Sequence, residues 1–299
     1  MIRFVYLSYY FMDKAIPREI FPSSSLAYFS FLPLSCKLIN MRRIISIANQ
    51  KGGVGKTTTA INLSSALAEL GKKVLLVDFD SQGNATRGLG FQVIEMPITI
   101  FDAITSQVDV NAAIKTTKIK NLDLIPANLK LASLETYIQS QGTLDRFRML
   151  ESCLNKIQGD YDFVIIDCPP SLGTLSINAL VASSSVLIPV QCEYFAMEAV
   201  ASILSTITKI QKDYNPSLKI EGFLLTMYES NASLCTEVAQ QVRALFKENT
   251  FVTSIPRNIS IPEASARGEA VTTYRPSARG SIAYFALARE VLDHVQKEN

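Results

Sequence analysis

Apolar residues recur along the chain in two rhythms. Short, nearly unbroken apolar runs bounded by polar or turn residues predict buried strands at 43–49, 73–78, 121–126, 162–167, 185–190 and 219–226, with a short one at 250–255. Between them, apolar positions at helical spacing predict helices at 128–140, 143–158, 174–183, 196–213, 233–248 and 278–296. A further helix succeeds the first strand through Ile61, Leu63, Leu67 and Leu70, closed by Gly71, the residue type that most readily ends a helix. Strands alternating with helices predict an α/β fold, a mostly parallel sheet with helices on both faces. No linker, repeat or low-complexity tract interrupts the pattern after residue 40, so 41–299 reads as one domain.

Residues 1–40 obey neither rhythm. Phe4 to Met12 is apolar but too short to span a bilayer, and Asp13, Lys14, Pro17, Arg18 and Glu19 end that run. A second apolar stretch, Leu26 to Cys36, is interrupted by Ser30, Pro33 and Ser35, and there is no clean signal-peptide core. The strand grammar starts directly after Met41. The leader is therefore expected to be an atypical extension produced by an upstream start site, with a membrane-associating arm or a structural extension as the alternatives.

Charge sharpens this division. The chain has 29 Lys+Arg and 27 Asp+Glu, a net +2. Arg3, Lys14, Arg18 and Lys37 against Asp13 and Glu19 carry all of that excess, so the remainder is neutral and bulk charge does not mark a nucleic-acid binder. The five cysteines (Cys36, Cys153, Cys168, Cys192, Cys235) form no C-x-x-C pair, which speaks against a metal site or disulfide framework and for reduced thiols in a cytoplasmic protein. The single histidine, His294, is expected on the surface of the last helix, so histidine chemistry is excluded.

The candidate chemistry lies directly after the first strand. Lys51, Gly52, Gly53, Val54, Gly55, Lys56, Thr57 and Thr58 form a glycine-rich loop between a strand and a helix. Such a loop turns backbone N–H groups onto phosphate oxygens at the positive end of a helix. Lys56 suits the β and γ phosphates, and the Thr57 hydroxyl suits Mg²⁺. The first glycine of the usual pattern is replaced by Gln50, and Lys51 is an additional lysine at the loop's front. The strands at 73–78 and 162–167 end in Asp78 (with Asp80 two residues on) and Asp167, at the strand ends where open α/β sheets bind ligands.

These blocks, together with Asp78-Phe79-Asp80-Ser81-Gln82-Gly83-Asn84 and Ile166-Asp167-Cys168-Pro169-Pro170, resemble the deviant-Walker P-loop ATPases of the ParA/MinD family. Thr226-Met227-Tyr228-Glu229, Ile255-Pro256-Arg257-Asn258 and Glu263-Ala264 resemble its chromosomal ParA (Soj) branch more narrowly, and the similarity spans Met41 to the end. The resemblance implies an ATP- and Mg²⁺-dependent ATPase. ATP would be sandwiched in a homodimer, with Lys51 reaching the partner subunit's phosphates and Lys56 holding those of its own. Thr57 would ligate Mg²⁺, with Asp167 orienting its water shell. Asp80 would position the attacking water and Asp78 support the metal side, or those two roles are exchanged. Pro256 and Asn258 would border the adenine, and no N-K-x-D guanine motif is visible. The dimer would bind DNA non-specifically and be reset by a ParB-like centromere-binding partner, in a cytoplasmic protein that is nucleoid-associated when ATP-bound.

Ser81 departs from the family's usual proline, and Asn231 stands where many members carry an arginine, which puts one DNA contact in doubt. Lys209, Lys212, Arg243, Lys247, Arg267 and Arg279 are the basic residues of the late helices, without a patch legible in the sequence. Two other readings share the fold: a MinD-like membrane-positioning ATPase and a metabolic P-loop enzyme. The tail has Tyr284, Leu287, Val291 and Val295 at helical spacing but only Lys297 as a basic residue after His294. It reads as a core-packing helix, so no stable membrane anchor is expected.

Overall fold

The computed structural model describes residues 42–141, 146–193 and 195–298; the expected leader, 1–40, lies outside the described residues. Eight strands form one sheet: β1 (Arg43–Ile47), β2 (Val74–Asp78), β3 (Lys115–Thr116), β4 (Leu122–Ile125), β5 (Phe163–Asp167), β6 (Ser185–Gln191), β7 (Lys219–Tyr228) and β8 (Thr250–Pro256). Their order is β3-β4-β2-β5-β1-β6-β7-β8, and every pairing is parallel except the two-residue β3 against β4.

A parallel sheet is covered on both faces, so its strands are apolar throughout. Successive side chains alternate between two cores. Leu75 and Val77 of β2, with Val164 and Ile166 of β5, enter one cluster. Val74, Leu76, Phe163 and Ile165 enter the other. The second core is closed by helix α1 (Lys56–Glu69) and by the C-terminal helix, Arg279–Glu298. Ala60, Leu63, Ala66 and Leu67 of α1 are fully buried, and Gly71 ends the helix at φ 87° as its sequence position predicts. Tyr284, Leu287 and Val291 bury the apolar face of the last helix in this core, as expected for a packing helix.

Several expected elements are shorter or subdivided. The span 128–140 begins as a tight 3₁₀ turn, Leu129–Ser133, before an α-helix at Leu134–Gln141. The span 143–158 yields Met149–Leu154 among the described residues; 142–145 lie outside them. The Arg42 guanidinium donates to the carbonyls of Leu154, Ile157 and Gly159 at 3.0, 3.0 and 3.3 Å, tying the residue ahead of β1 to the end of that helix and the turn after it. The short helix α2 (Asn84–Gly88) and Ser260–Ala266 are too brief to carry a periodic signal. Beyond these two helices, the Gly268 backbone meets that of Gly90. A Cβ on Gly268, whose φ is 68°, would lie 2.6 Å from Gly90 Cα. Gly268→Ala is expected to cost about 1–3 kcal/mol, read as a lowered thermal midpoint; an unchanged midpoint would mean the two loops separate freely.

His294 departs from its expected place on the surface. Its ring is half-buried, stacks on Phe251 with centroids 5.5 Å apart, and lies 3.2 Å from buried Glu221. Arg43 donates to Glu221 Oε2 at 2.7 Å and Ser185 at 2.5 Å, so one carboxylate joins β1, β6, β7 and the last helix. On the outer strand, the N–H groups of Val252 and Thr253 each donate at 2.8 Å to the carboxylate of Glu290 on that helix. The four described cysteines are buried free thiols. No helix among the described residues is long and apolar enough to cross a membrane.

Candidate active site

The strand register delivers the site. Asp167 at the end of β5 lies opposite Ile47 of β1 on one side and Asp78 of β2 on the other. The glycine-rich loop leaves β1 at the same edge, so loop and carboxylates converge where parallel sheets bind ligands. Gly53 and Gly55 adopt φ 77° and 90°, left-handed values that suit glycine. No side chain caps the first turn of α1. Its N–H groups and the positive end of its dipole are left for an anion.

Lys56 is 7% exposed and its ammonium donates to the Lys51 carbonyl at 3.0 Å. Burial lowers its pKa, while Asp167, Cys168 and Asp80 oppose that shift. Asp78 is fully buried and its carboxylate is committed. One oxygen accepts the Asp80 N–H at 3.3 Å; the other accepts the N–H and hydroxyl of Thr86 in α2 at 2.8 and 2.6 Å. Burial pushes its pKa up to about 6, with the Thr86 and Asp80 hydrogen bonds opposing. Asp80 is 6% exposed, and its Oδ1 accepts the Gln82 N–H at 3.0 Å.

Asp167 is the unusual member of the cluster. It is fully buried and neither carboxylate oxygen has a partner in hydrogen-bond geometry. Burial first, and then the charge of Asp78, raise its pKa well above the ordinary carboxylate range; Thr57 beside it and Lys56 pull the other way. An unpartnered buried carboxylate is costly, and a cation in contact with it removes that cost. No three His, Cys, Asp or Glu side chains form a metal cage among the described residues. A cation here would thus draw its remaining oxygens from phosphate and water, as Mg²⁺ does. Thr57 and Asp167 fit that ion.

A cavity of about 500 Å³ adjoins the loop, with Gly55 and Thr58 lining it beside Met227, Pro256, Asn258 and Tyr284. The Thr226 hydroxyl donates to the Val54 carbonyl at 2.9 Å, holding this wall on the loop. Met227 at φ 52° is a strained non-glycine residue at the end of β7. The expected residues therefore fall into three groups. Lys56, Thr57, Asp78, Asp80 and Asp167 cluster; Thr58, Pro256 and Asn258 share the cavity; Lys51 stands apart, its ammonium 2.9 Å from Glu193 Oε2.

Three residues of the site carry no local sequence signal. Thr86 holds Asp78, and its hydroxyl also accepts the Ala127 N–H at 3.1 Å. Asn49 accepts the Lys51 N–H and donates to the Pro189 carbonyl, fixing the front of the loop. Glu193 pairs with Lys51 from 142 residues away. The six basic residues of the late helices are exposed; Arg243 donates to Ser254 and Arg267 lies over Tyr274.

A loop of this kind between a central parallel strand and a helix, with acidic ends on the next two strands of the sheet, defines a P-loop nucleotide hydrolase. Known proteins agree. A family model described as an AAA domain matches residues 42–220. The sporulation initiation inhibitor protein Soj of Bacillus subtilis is 47% identical over 251 residues, 84% of this chain and 98% of that protein. The chromosome partitioning protein ParA of Myxococcus xanthus is 42% identical over 250 residues, 84% of this chain and 88% of that one. A crystal structure of cobyrinic acid a,c-diamide synthase from Mycobacterium smegmatis, with bound ATP analogue and magnesium, is 36% identical. It covers 86% of this chain and 97% of its own, with a TM-score of 0.77. The chain belongs to the ParA/Soj family of chromosome-partitioning ATPases.

Proposed function

We propose that this ATPase is a partition switch: ATP drives a sandwich homodimer, the dimer holds DNA non-specifically, and a ParB-like partner triggers hydrolysis and release. The observation that carries the reading is the divergence of the two loop lysines. Lys56 turns inward among the carboxylates, whereas Lys51 turns outward to a surface carboxylate. A lysine at the front of a phosphate loop that does not serve its own site is free to serve the partner's.

Within each subunit, the loop N–H groups and Lys56 bind the phosphates, and the cavity beside Pro256 and Asn258 receives the adenine. Thr57 and Asp167 would hold Mg²⁺, which supplies charge neutralisation on the β and γ phosphates. Asp80 orients the attacking water. Both Asp78 oxygens already accept hydrogen bonds from the protein, and this carboxylate instead holds the loop through Thr86. Chemistry of this type is positioning and charge stabilisation, which a site of lysine, threonine and aspartate can deliver. DNA contact would come from exposed late-helix residues such as Arg243 and Lys247, doubled by dimerisation. The residues ahead of Met41 are proposed to stand outside this ATPase domain.

The burial of Tyr284, Leu287 and Val291 commits the apolar stripe of the last helix to the core, which disfavours a tail-anchored membrane switch. Retention on DNA with ATP, compared between the parent and Lys51→Ala, tests the proposal. The parent should be retained and the variant lost; equal retention, or none for either, sinks the switch. Hydrolysis insensitive both to DNA and to a candidate centromere-binding protein would favour a metabolic role, the class to which the 36%-identical synthase belongs by name.

A further inference from the structure

The front of the phosphate loop is docked on β6, on the helix Ala196–Asp213 and on Glu193 between them. The Asn49 side chain donates to the Pro189 carbonyl at 2.7 Å, and the Ser202 hydroxyl donates to Gln50 Oε1. Lys51 completes the dock through its ion pair with Glu193 at 2.9 Å, and the Gln191 side-chain amide donates to the other Glu193 oxygen. Glu193 is thus held from behind with one oxygen presented to the lysine. A carboxylate in that position offers the ammonium what a phosphate would offer it, a paired anionic oxygen.

From this contact we infer that Glu193 is a positioning residue for Lys51: it occupies the lysine within its own subunit and must release it before the lysine can cross. The inference rests on the proposed role of Lys51 in the nucleotide sandwich. The Lys51 and Glu193 side chains are 26% and 49% exposed, so the pair is a weak, exchangeable one. A fully buried pair would hold the lysine permanently. A half-exposed one sets a threshold that a polyanionic phosphate can overcome, and it keeps Lys51 from unproductive contacts until then. Each of two subunits must break one such pair on dimerisation, so the effect on the dimer is counted twice.

Glu193→Gln keeps the size and polarity of the side chain and removes the charge. Dimerisation is measured by sedimentation with a non-hydrolysable ATP analogue and Mg²⁺ across protein concentrations. The variant is expected to reach half-dimer at a protein concentration about two- to thirty-fold lower than the parent, with Glu193→Asp close to the parent. A merely structural role would weaken the dimer or leave it alone when the residue is changed, so a gain identifies the counter-ion role. An unchanged or raised half-dimer concentration in Glu193→Gln overturns the inference. Lys51→Ala in the same assay separates the two levels. If it dimerises like the parent, the sandwich role of Lys51 fails. If it does not dimerise while Glu193→Gln matches the parent, only the Glu193 inference fails.

Discussion

Asp80→Ala is expected to bind ATP about as tightly as the parent and to turn it over about 10²–10⁴-fold more slowly. The proposed phosphate-binding parts, the loop N–H groups and Lys56, make no hydrogen bond to this carboxylate, whose charge is the smallest of the three acting on Lys56, so affinity is expected to survive. What is lost is the group proposed to orient water. Asp80 lies two residues beyond Asp78, buried, with a turn hydrogen bond to Gln82 holding its Oδ1. Phosphate release against time, with binding of a fluorescent ATP analogue measured in parallel, reads the two effects separately. Hydrolysis within about threefold of the parent would remove Asp80 from this role. Asp78→Ala should behave differently: it strips Thr86 of its acceptor, so it is expected to lower stability as well as rate.

Glu221→Ala is expected to lower folding stability by about 3–5 kcal/mol, because it breaks a buried ion pair with Arg43 together with the contacts of Ser185 and His294. Burial alone would raise the Glu221 pKa; hydrogen bonds and charge from His294, Arg43 and Ser185 outweigh it and hold the carboxyl below the ordinary glutamate value. A carboxyl whose folded pKa is depressed stabilises the protein above its unfolded pKa, and that stability is lost as pH falls through the folded value. The parent should therefore lose stability in acid below about pH 4.3 more steeply than the variant. Urea titrations of both proteins from neutral to acid pH measure the difference. Parallel curves would mean that the network contributes nothing beyond packing.

The parts of this molecule that a sequence can reveal are those with local rules. The loop at 51–58, the strand ends at Asp78 and Asp167 and the helix stop at Gly71 are each written within a few residues, and all stand where their local pattern places them. Contacts that close over long chain distances leave no such trace. Glu193 meets Lys51 across 142 residues and Glu221 meets Arg43 across 178. His294 shows the same limit: its helix is legible from spacing, but its partner belongs to another strand. The different hydrogen bonding of Asp78 and Asp80 is hidden in the same way. Both are acidic residues at one strand end, and only the donors of Thr86 distinguish them.

Glu290 has a consequence for how this protein can aggregate. An outer strand with free N–H groups is a template on which another chain can lay a strand, the starting point of sheet-extended fibres and of swapped dimers. On β8, two of those donors, Val252 and Thr253, are already taken by one carboxylate from the last helix. The opposite edge, β3, is only two residues long and offers little to copy. Among the described residues, both ends of the sheet are thus blunted as templates. Growth through these two edges is therefore disfavoured, and association by docking of folded surfaces is favoured over merging of backbones.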